Sequence, residues 1–384
     1  MKGFDRIFGD CVAFSPAIIG EAGRWLPPNP HAMTGGQLAF FEHTPCLCHA
    51  TVATPVGVGH LIEAGHPMSC PRLIYQNDAQ AIDILKSQAA EGRKLIINHL
   101  PLPTSIAPEA MWVDPKLVSR LNNKAALADW VPREFLPRRR VVPSVGIADD
   151  PGLLPCVLKV ATDSSTGGGA DLMACHSRHD FADAFSFFRG AKQLVVEDWI
   201  EFTDLWCLNF ACTHDGKVEE LGSARQLIDS KLAFVGNLFG DVNAPPHSIC
   251  EVVLALAQRL VADGYCGILG VDVGRAADGS WYLYDINARM NASTAPLLAL
   301  RKFPWLSSHP LQRSVRLQGE SLREVVALSR RAVADMRFLP LSTFDPGVGG
   351  LEGAPSIGGI VAGADLEDIQ AYLHKHLGQH APIP

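Results

Sequence analysis

The run GILGVDVGRAADGSWYLYDINA, residues 267–288, constrains the fold more than any other part of the chain. Two apolar, strand-like stretches flank the turn RAADGSW, which predicts an antiparallel hairpin. Asp272 on the first arm and Asp285 on the second, 13 residues apart, would then sit side by side across the pair. Two facing carboxylates repel, so such an arrangement is expected where a cation lies between them. Beyond Asp285 the chain places Asn287, Arg289 and Asn291 at every second position. On an extended backbone these four share one face, away from Ile286, Ala288 and Met290. Asp and Asn offer oxygens to a hard cation such as Mg²⁺, and Arg offers a fixed fork of donors to phosphate or carboxylate. An isolated Asp-x-Asn-x-Arg is more often a strand running into a solvated turn, so other segments must decide.

A chain of 384 residues, 47% hydrophobic and 19% charged, has the core of a globular protein and the length of two or three domains. A net charge of −7, with one short basic run at Arg138 to Arg140, argues against nucleic acid as the main partner. Those arginines stand beside prolines and read as a solvated linker. No apolar run approaches the roughly 20 residues that span a bilayer. The N-terminal MKGFDRIFGDC lacks the apolar core of a signal peptide, so the expected location is cytoplasmic and away from membranes. Ten scattered cysteines read as reduced thiols. The cluster HTPCLCH (His43, Cys46, Cys48, His49) has soft ligands but lacks a second ligand pair, and no metal is assigned to it.

Residues 1–115 read as a small α/β unit ending in the helix DAQAIDILKSQAAEG and the strand KLIINHL. LVSRLNNKAALADWV reads as a helix with Asn122 or Asn123 as a cap, followed by strands at RRRVVPS and PCVLKVA, a helix at DFADAFSFFRG and a strand at QLVVEDWI. WCLNFACTHDGKVEEL is a hairpin turning at His214-Asp215-Gly216, and SICEVVLALAQRLVADG is an amphipathic helix closed by Gly264. A final helix starts near Asp365, with Glu367 and Asp368 in its first turn. Two segments, 229–247 and the Gly-rich 347–359, read as long loops over a pocket that would carry selectivity.

ATDSSTGGGADL, residues 161–172, follows the strand VLKV. Its consecutive glycines make a loop whose N–H groups can wrap phosphate oxygens, and Lys159 can place a compact charge on them. No Gly-Lys-Ser/Thr follows, so it is not a P-loop, and the bland alternative is a flexible surface loop. VVEDWI ends on Glu197 and Asp198, with Asp204 a turn later; a strand end of this kind can present backbone groups to an adenine edge and acids to ribose, or can simply be solvated.

In this order the motifs resemble the ATP-grasp superfamily over roughly residues 116 to 300. The resemblance implies an α/β (α+β) ATP-grasp fold behind an N-terminal pre-ATP-grasp domain. The implied boundaries are 1–115 for that domain, 116–200 for the small subdomain, 201–330 for the large one, and 331–384 for a Gly-rich segment and helix. It implies ATP and Mg²⁺ as cofactors. Lys124 in NNKAAL, Lys159, and the loop Ser165, Thr166, Gly167, Gly168 and Gly169 would hold the nucleotide's phosphates. Glu197, Asp198, Trp199 and Ile200 would form the hinge, and Asp204 would meet the ribose. Asp272, Asp285 and Asn287 would hold the metal; Arg289 would be the catalytic arginine and Arg225 a cation near the transferred phosphate. Asp204 and Asp285 depart from the Glu usual at those positions, which leaves one or two metal ions open. The implied reaction is amide formation between a small-molecule carboxylate and an amine, on amino acids or short peptides, through an acyl phosphate, in a possible homodimer. An ATP-dependent carboxylase, an acid–thiol ligase and a non-catalytic ATP-binding module are the alternatives.

Overall fold

The computed structural model describes residues 7–8, 11–19, 25, 29–100, 103–144, 154–164, 166–167, 169–229, 232–240 and 244–377. A parallel sheet comes first, with strands β1 (Val12–Ser15), β2 (Cys46–His49), β3 (Arg72–Tyr75) and β4 (Lys94–Ile97) in the order β3-β2-β1-β4. Its crossover helices are α1 (Pro55–Glu63) and α2 (Asp78–Ala90), each begun by a side-chain cap, Thr54 onto the N–H of Gly57 and Asn77 onto that of Gln80. Helix α3 (Pro115–Asn122) starts on Asp114. Asn123 then caps a short 3₁₀ turn, Lys124–Ala126, ahead of α4 (Leu127–Trp130).

The second sheet is antiparallel, β5 (Arg139–Pro143), β6 (Cys156–Ala161), β7 (Leu172–Cys175) and β8 (Gln193–Asp198) in the order β5-β8-β6-β7. One face buries Leu158, Val160, Leu194 and Val196 against Phe181 and Ala184 of α5 (Arg178–Phe187). The opposite face carries Arg139, Lys159 and Glu197. The basic run expected to be a solvated linker is therefore strand β5. Alternation along a strand turns one residue of three inward, and that residue is Arg139.

The third sheet holds β9 (Phe202–Cys212), β10 (Val218–Ile228), β11 (Phe234–Gly240), β12 (Gly267–Ala276), β13 (Trp281–Asn287), β14 (Leu311–Gln318), β15 (Phe338–Phe344) and β16 (Ser356–Gly363). They are antiparallel in the order β13-β12-β9-β10-β11-β14-β16-β15. Helix α6 (His247–Ala262) lays a stripe of Ile249, Val253, Leu256 and Leu260 on Trp206, Leu208, Val271 and Val273 of this sheet. It ends where the N–H of Tyr265 reaches the Leu260 carbonyl around Gly264, whose φ of +95° is free of strain only for glycine. Helix α7 (Thr294–Lys302) packs Leu297 on Ala224 and Phe239 of the same sheet. Helices α8 (Leu322–Ala334) and α9 (Leu366–Leu377) cover the far end, with Val325, Leu373 and Leu377 in one core with Ile357 and Val361. The parallel sheet joins through Phe14, Phe41 and Val12, packed with Ile268, Met290 and Leu339.

Two expected loops contain strand. Within 229–247 lies β11, and within 347–359 lies the start of β16, an interior strand of the large sheet. Glycines there permit close packing: a Cβ on Gly359 would stand 2.4 Å from the Leu339 carbonyl oxygen and 2.5 Å from the Phe338 ring. No helix among the described residues is long and apolar enough to cross a membrane. The cysteines are free thiols; Cys46 and Cys48 are buried in the core, and burial pushes Cys48 up to about 12 and holds Cys46 well above its ordinary value.

Candidate active site

The hairpin β12–β13 brings Asp272 directly opposite Asp285. Val273 pairs with Leu283, so Tyr284 is an extra residue in the second arm, a bulge of the kind that re-aims neighbouring side chains. Its hydroxyl donates to Gln226 Oε1 at 2.6 Å, and Gln226 Nε2 donates to Asp272 Oδ1 at 3.1 Å. Asn287 Nδ2 donates to Asp272 Oδ2 at 3.1 Å. Asp272 is 8% exposed; burial, and next the charge of Asp285, push its carboxyl up to about 6.

Lys124 reaches in from the capped turn after α3. Its Nζ lies 2.8 Å from Asp285 Oδ2 and 3.2 Å from Asp171 Oδ2. Burial alone would lower its pKa, but Asp171 and Asp285 outweigh it, and the ammonium is held above its ordinary range. Asp171 is held below the ordinary carboxylate range, since Lys124 and the Thr166 hydroxyl, 2.6 Å away, overcome its burial. Thr166 and Asp171 bracket the glycines, so this bond clasps the two ends of the loop together. Gly169, with φ of +82°, lies against the Leu232 carbonyl, where a Cβ would come within 3.0 Å. Ser165 and Gly168 lie outside the described residues.

Lys159 Nζ is 2.5 Å from Glu197 Oε2 and donates to the Tyr284 carbonyl at 3.3 Å. At the expected hinge, Asp198 pairs with Arg138 at 3.0 Å, the Trp199 N–H bonds the Pro155 carbonyl, and the Trp199 ring meets His176 edge-on at 4.7 Å. Ile200 follows, half-buried, two residues before β9.

Arg289 is fixed from two sides. Nη1 donates to Asn122 Oδ1 at 2.7 Å, an oxygen that also accepts the Ala288 N–H at 3.0 Å, and Nη2 donates to the Thr166 carbonyl at 3.3 Å. His99, 5% exposed, is pushed down to about 3 by burial and by the Arg289 charge. Asn291 is not part of this cluster: its amide joins Asn209, Ser293 and Thr294 in a buried network at the start of α7.

Lys124, Lys159, Thr166, Gly167, Glu197, Asp272, Asp285, Asn287 and Arg289 are thus brought together. Asp204 and Arg225 are not. They pair with each other at 2.8 Å, and Arg225 lies over Trp206, on the sheet face opposite Asp272. Asn122, Gln226, Asp171, Tyr284 and Arg139 were missed as site residues in the sequence. Asn122 reads only as a cap there, and Asp171 stands in the quoted loop without distinction.

Between Lys124, Thr166, Asp285 and Arg289 there is a crevice of only about 20 Å³, bordered also by Ser164 and Asn122. It shares Leu100, Ser119 and Asp163 with a neighbouring cavity of about 820 Å³, whose walls are mainly apolar and include Ile106, Pro103 and Ala125.

Two models of one ligase family match the chain. The L-aspartate–L-methionine ligase N-terminal domain matches residues 3–119, and the ATP-grasp part of the same ligase matches 137–287. Among solved structures, N5-carboxyaminoimidazole synthetase from Staphylococcus aureus complexed with ADP is similar over 88% of this chain and 97% of its own, with 9% identity and a TM-score of 0.58. Carboxyaminoimidazole ribonucleotide synthase from Aspergillus clavatus complexed with ATP is similar over 82% and 92%, with 14% identity and a TM-score of 0.53. L-amino acid ligase from Bacillus licheniformis is similar over 96% and 98%, with 11% identity and a TM-score of 0.53. Identities this low speak for the fold, and the family models speak for the ligase. The chain belongs to the ATP-grasp superfamily and is an ATP-dependent ligase that forms a carbon–nitrogen bond.

Proposed function

We propose that this ligase joins L-aspartate to L-methionine, the pair named by the family it matches on both sides of the α3 region. The observation that carries a ligase chemistry is the position of Arg289, a guanidinium anchored by Asn122 beside the opposed acids and the glycine loop. The donor set suits a hard divalent cation: two opposed carboxylates and an amide, with the charge on Asp272 disfavoured by burial and by its neighbour, a cost that a cation would relieve. Asp272, Asp285 and Asn287 would hold Mg²⁺, which would neutralise charge on the terminal phosphates of ATP.

In the first step a carboxylate oxygen of the acid substrate attacks the γ-phosphorus; the bond to the bridging oxygen breaks, and ADP leaves with that electron pair. Arg289 holds the carboxylate, Lys159 and Lys124 hold phosphate oxygens, and the clasped loop excludes water from the acyl phosphate. In the second step the amine nitrogen attacks the acyl carbon. Phosphate leaves with the oxygen that bridged it to carbon, and the nitrogen sheds a proton. Arg289 is placed to hold the oxyanion of that tetrahedral intermediate. The apolar cavity beside the crevice has walls suited to the methionine side chain. A crevice of about 20 Å³ has no space for a triphosphate, so the loop must lift for ATP to enter.

The test is ADP release with ATP, Mg²⁺ and amino acids offered singly and in pairs, with the product weighed by mass spectrometry. ADP that appears only with aspartate plus methionine, together with an adduct one water lighter than their sum, supports the proposal. Release with a different pair reassigns the substrates, and release with a thiol or bicarbonate would move the protein to another branch.

A further inference from the structure

The face that the small sheet turns toward Tyr284 and Asp285 carries a third cation that the mechanism above leaves without a task. Arg139 on β5 stands opposite Glu197 on β8. Glu197 stands opposite Val157 on β6, two residues before Lys159, so Arg139, Glu197 and Lys159 project from one face. The Arg139 side chain is only 8% exposed. Its Nη2 donates to the main-chain carbonyl of Lys124, which places the guanidinium between the two lysines. Its Nη1 lies 3.4 Å from Glu197 Oε1, yet neither Nη1 nor Nε makes a hydrogen bond, and both are buried.

This differs from the state of the lysines. Lys124 is committed to two acids, and Lys159 to Glu197 and the Tyr284 carbonyl. An arginine forked onto both carboxylate oxygens would satisfy its donors; here Glu197 Oε2 goes to Lys159, and Nη1 and Nε of Arg139 are left without a hydrogen bond, Nη1 keeping only the 3.4 Å ion pair with Oε1. Buried charged donors without acceptors are costly, and an anion brought to them would gain hydrogen bonds that no protein group competes for. Burial lowers the guanidinium's pKa, opposed by Glu197 and Asp285, in keeping with a cation short of partners.

Glu197 adjoins the hinge Asp198–Ile200, which would hold the adenine. Asp285 marks the other end, where the terminal phosphates would lie. We infer that Arg139 binds the α-phosphate of the nucleotide, as a third cation between Lys124 and Lys159. The inference rests on nucleotide binding by this fold and not on the identity of the amino acids.

The test compares ADP, AMP and adenosine as displacers of a fluorescent ADP analogue from the whole protein, in wild type, Arg139→Gln and Arg139→Lys. Loss of a charge-assisted bond to phosphate weakens AMP and ADP about 10- to 100-fold in Arg139→Gln. Adenosine, which has no phosphate, stays within about twofold of wild type, a selectivity that a merely structural role would not produce. Arg139→Lys keeps the charge and gives a smaller loss for AMP, again with adenosine unchanged; it decides the matter should the glutamine variant fail to fold. Equal weakening of adenosine and AMP, or AMP and ADP binding unchanged, would overturn the inference.

Discussion

Replacing Asn122 with alanine removes one oxygen that holds two groups at once, the Arg289 guanidinium at 2.7 Å and the Ala288 N–H at 3.0 Å. The first bond is charge-assisted and contributes about 1.5–3 kcal/mol; the second adds about 1 kcal/mol, part of which water restores. Among the described residues Arg289 would keep its bond to the Thr166 carbonyl. On the role proposed for Arg289 the loss falls on the substrate carboxylate, so kcat/KM for the acid substrate should drop about 10- to 300-fold. KM for ATP should stay within about twofold, because the phosphate cations Lys124 and Lys159 have other partners. The assay is steady-state ADP release with one substrate varied at a time. A variant within threefold of wild type on the acid substrate, or one that loses ATP affinity to the same degree, would refute the role given to Arg289 and its anchor.

Asp272→Asn should abolish Mg²⁺-dependent turnover while stabilising the metal-free protein. An acid whose folded pKa is raised to about 6 is destabilising at pH values above that pKa and neutral below its unfolded value. The gain should therefore be about 1–3 kcal/mol at pH 7.5 and vanish near pH 4, as read by urea unfolding of both proteins. His99, pushed down to about 3, works in the other sense: its neutral form is the folded one, so stability falls as pH drops below the unfolded value. Between pH 6.5 and 5 His99→Gln should flatten that decline by up to about 2 kcal/mol, and parallel slopes for the two proteins would exclude the assignment. Gly359→Ala should cost about 3 kcal/mol or prevent folding, since its Cβ would meet the Leu339 carbonyl oxygen at 2.4 Å; an unchanged urea midpoint would contradict the packing described.

The hairpin with its opposed acids was legible in the sequence because a tight turn and strand alternation settle the pairing of Asp272 with Asp285. The α6 stripe and its Gly264 stop were legible for the same local reasons. Strands β11 and β16 read as loops because glycine is a turn signal in one dimension, whereas Gly236 and Gly359 leave space for a neighbouring strand or ring, which only the fold reveals. Arg139 was hidden in a basic run, since composition says nothing about which of three adjacent arginines points inward. Asp171 and Gln226 were hidden because their partners, Lys124 and Asp272, lie 47 and 46 positions away in sequence. Asp204 and Arg225 illustrate the reverse: residues that match motif positions can satisfy each other on the far face of a sheet.

The most direct test of the central claim follows an oxygen atom. L-aspartate and L-methionine, each carrying ¹⁸O in its carboxylates, are incubated with ATP, Mg²⁺ and the enzyme, and the inorganic phosphate released is analysed by mass. Attack of carboxylate on the γ-phosphorus, with the amine then displacing phosphate, requires one ¹⁸O in each phosphate formed, alongside ADP. Unlabelled phosphate, or AMP and pyrophosphate in place of ADP, would contradict the acyl-phosphate chemistry assigned to Arg289, Lys124 and Lys159.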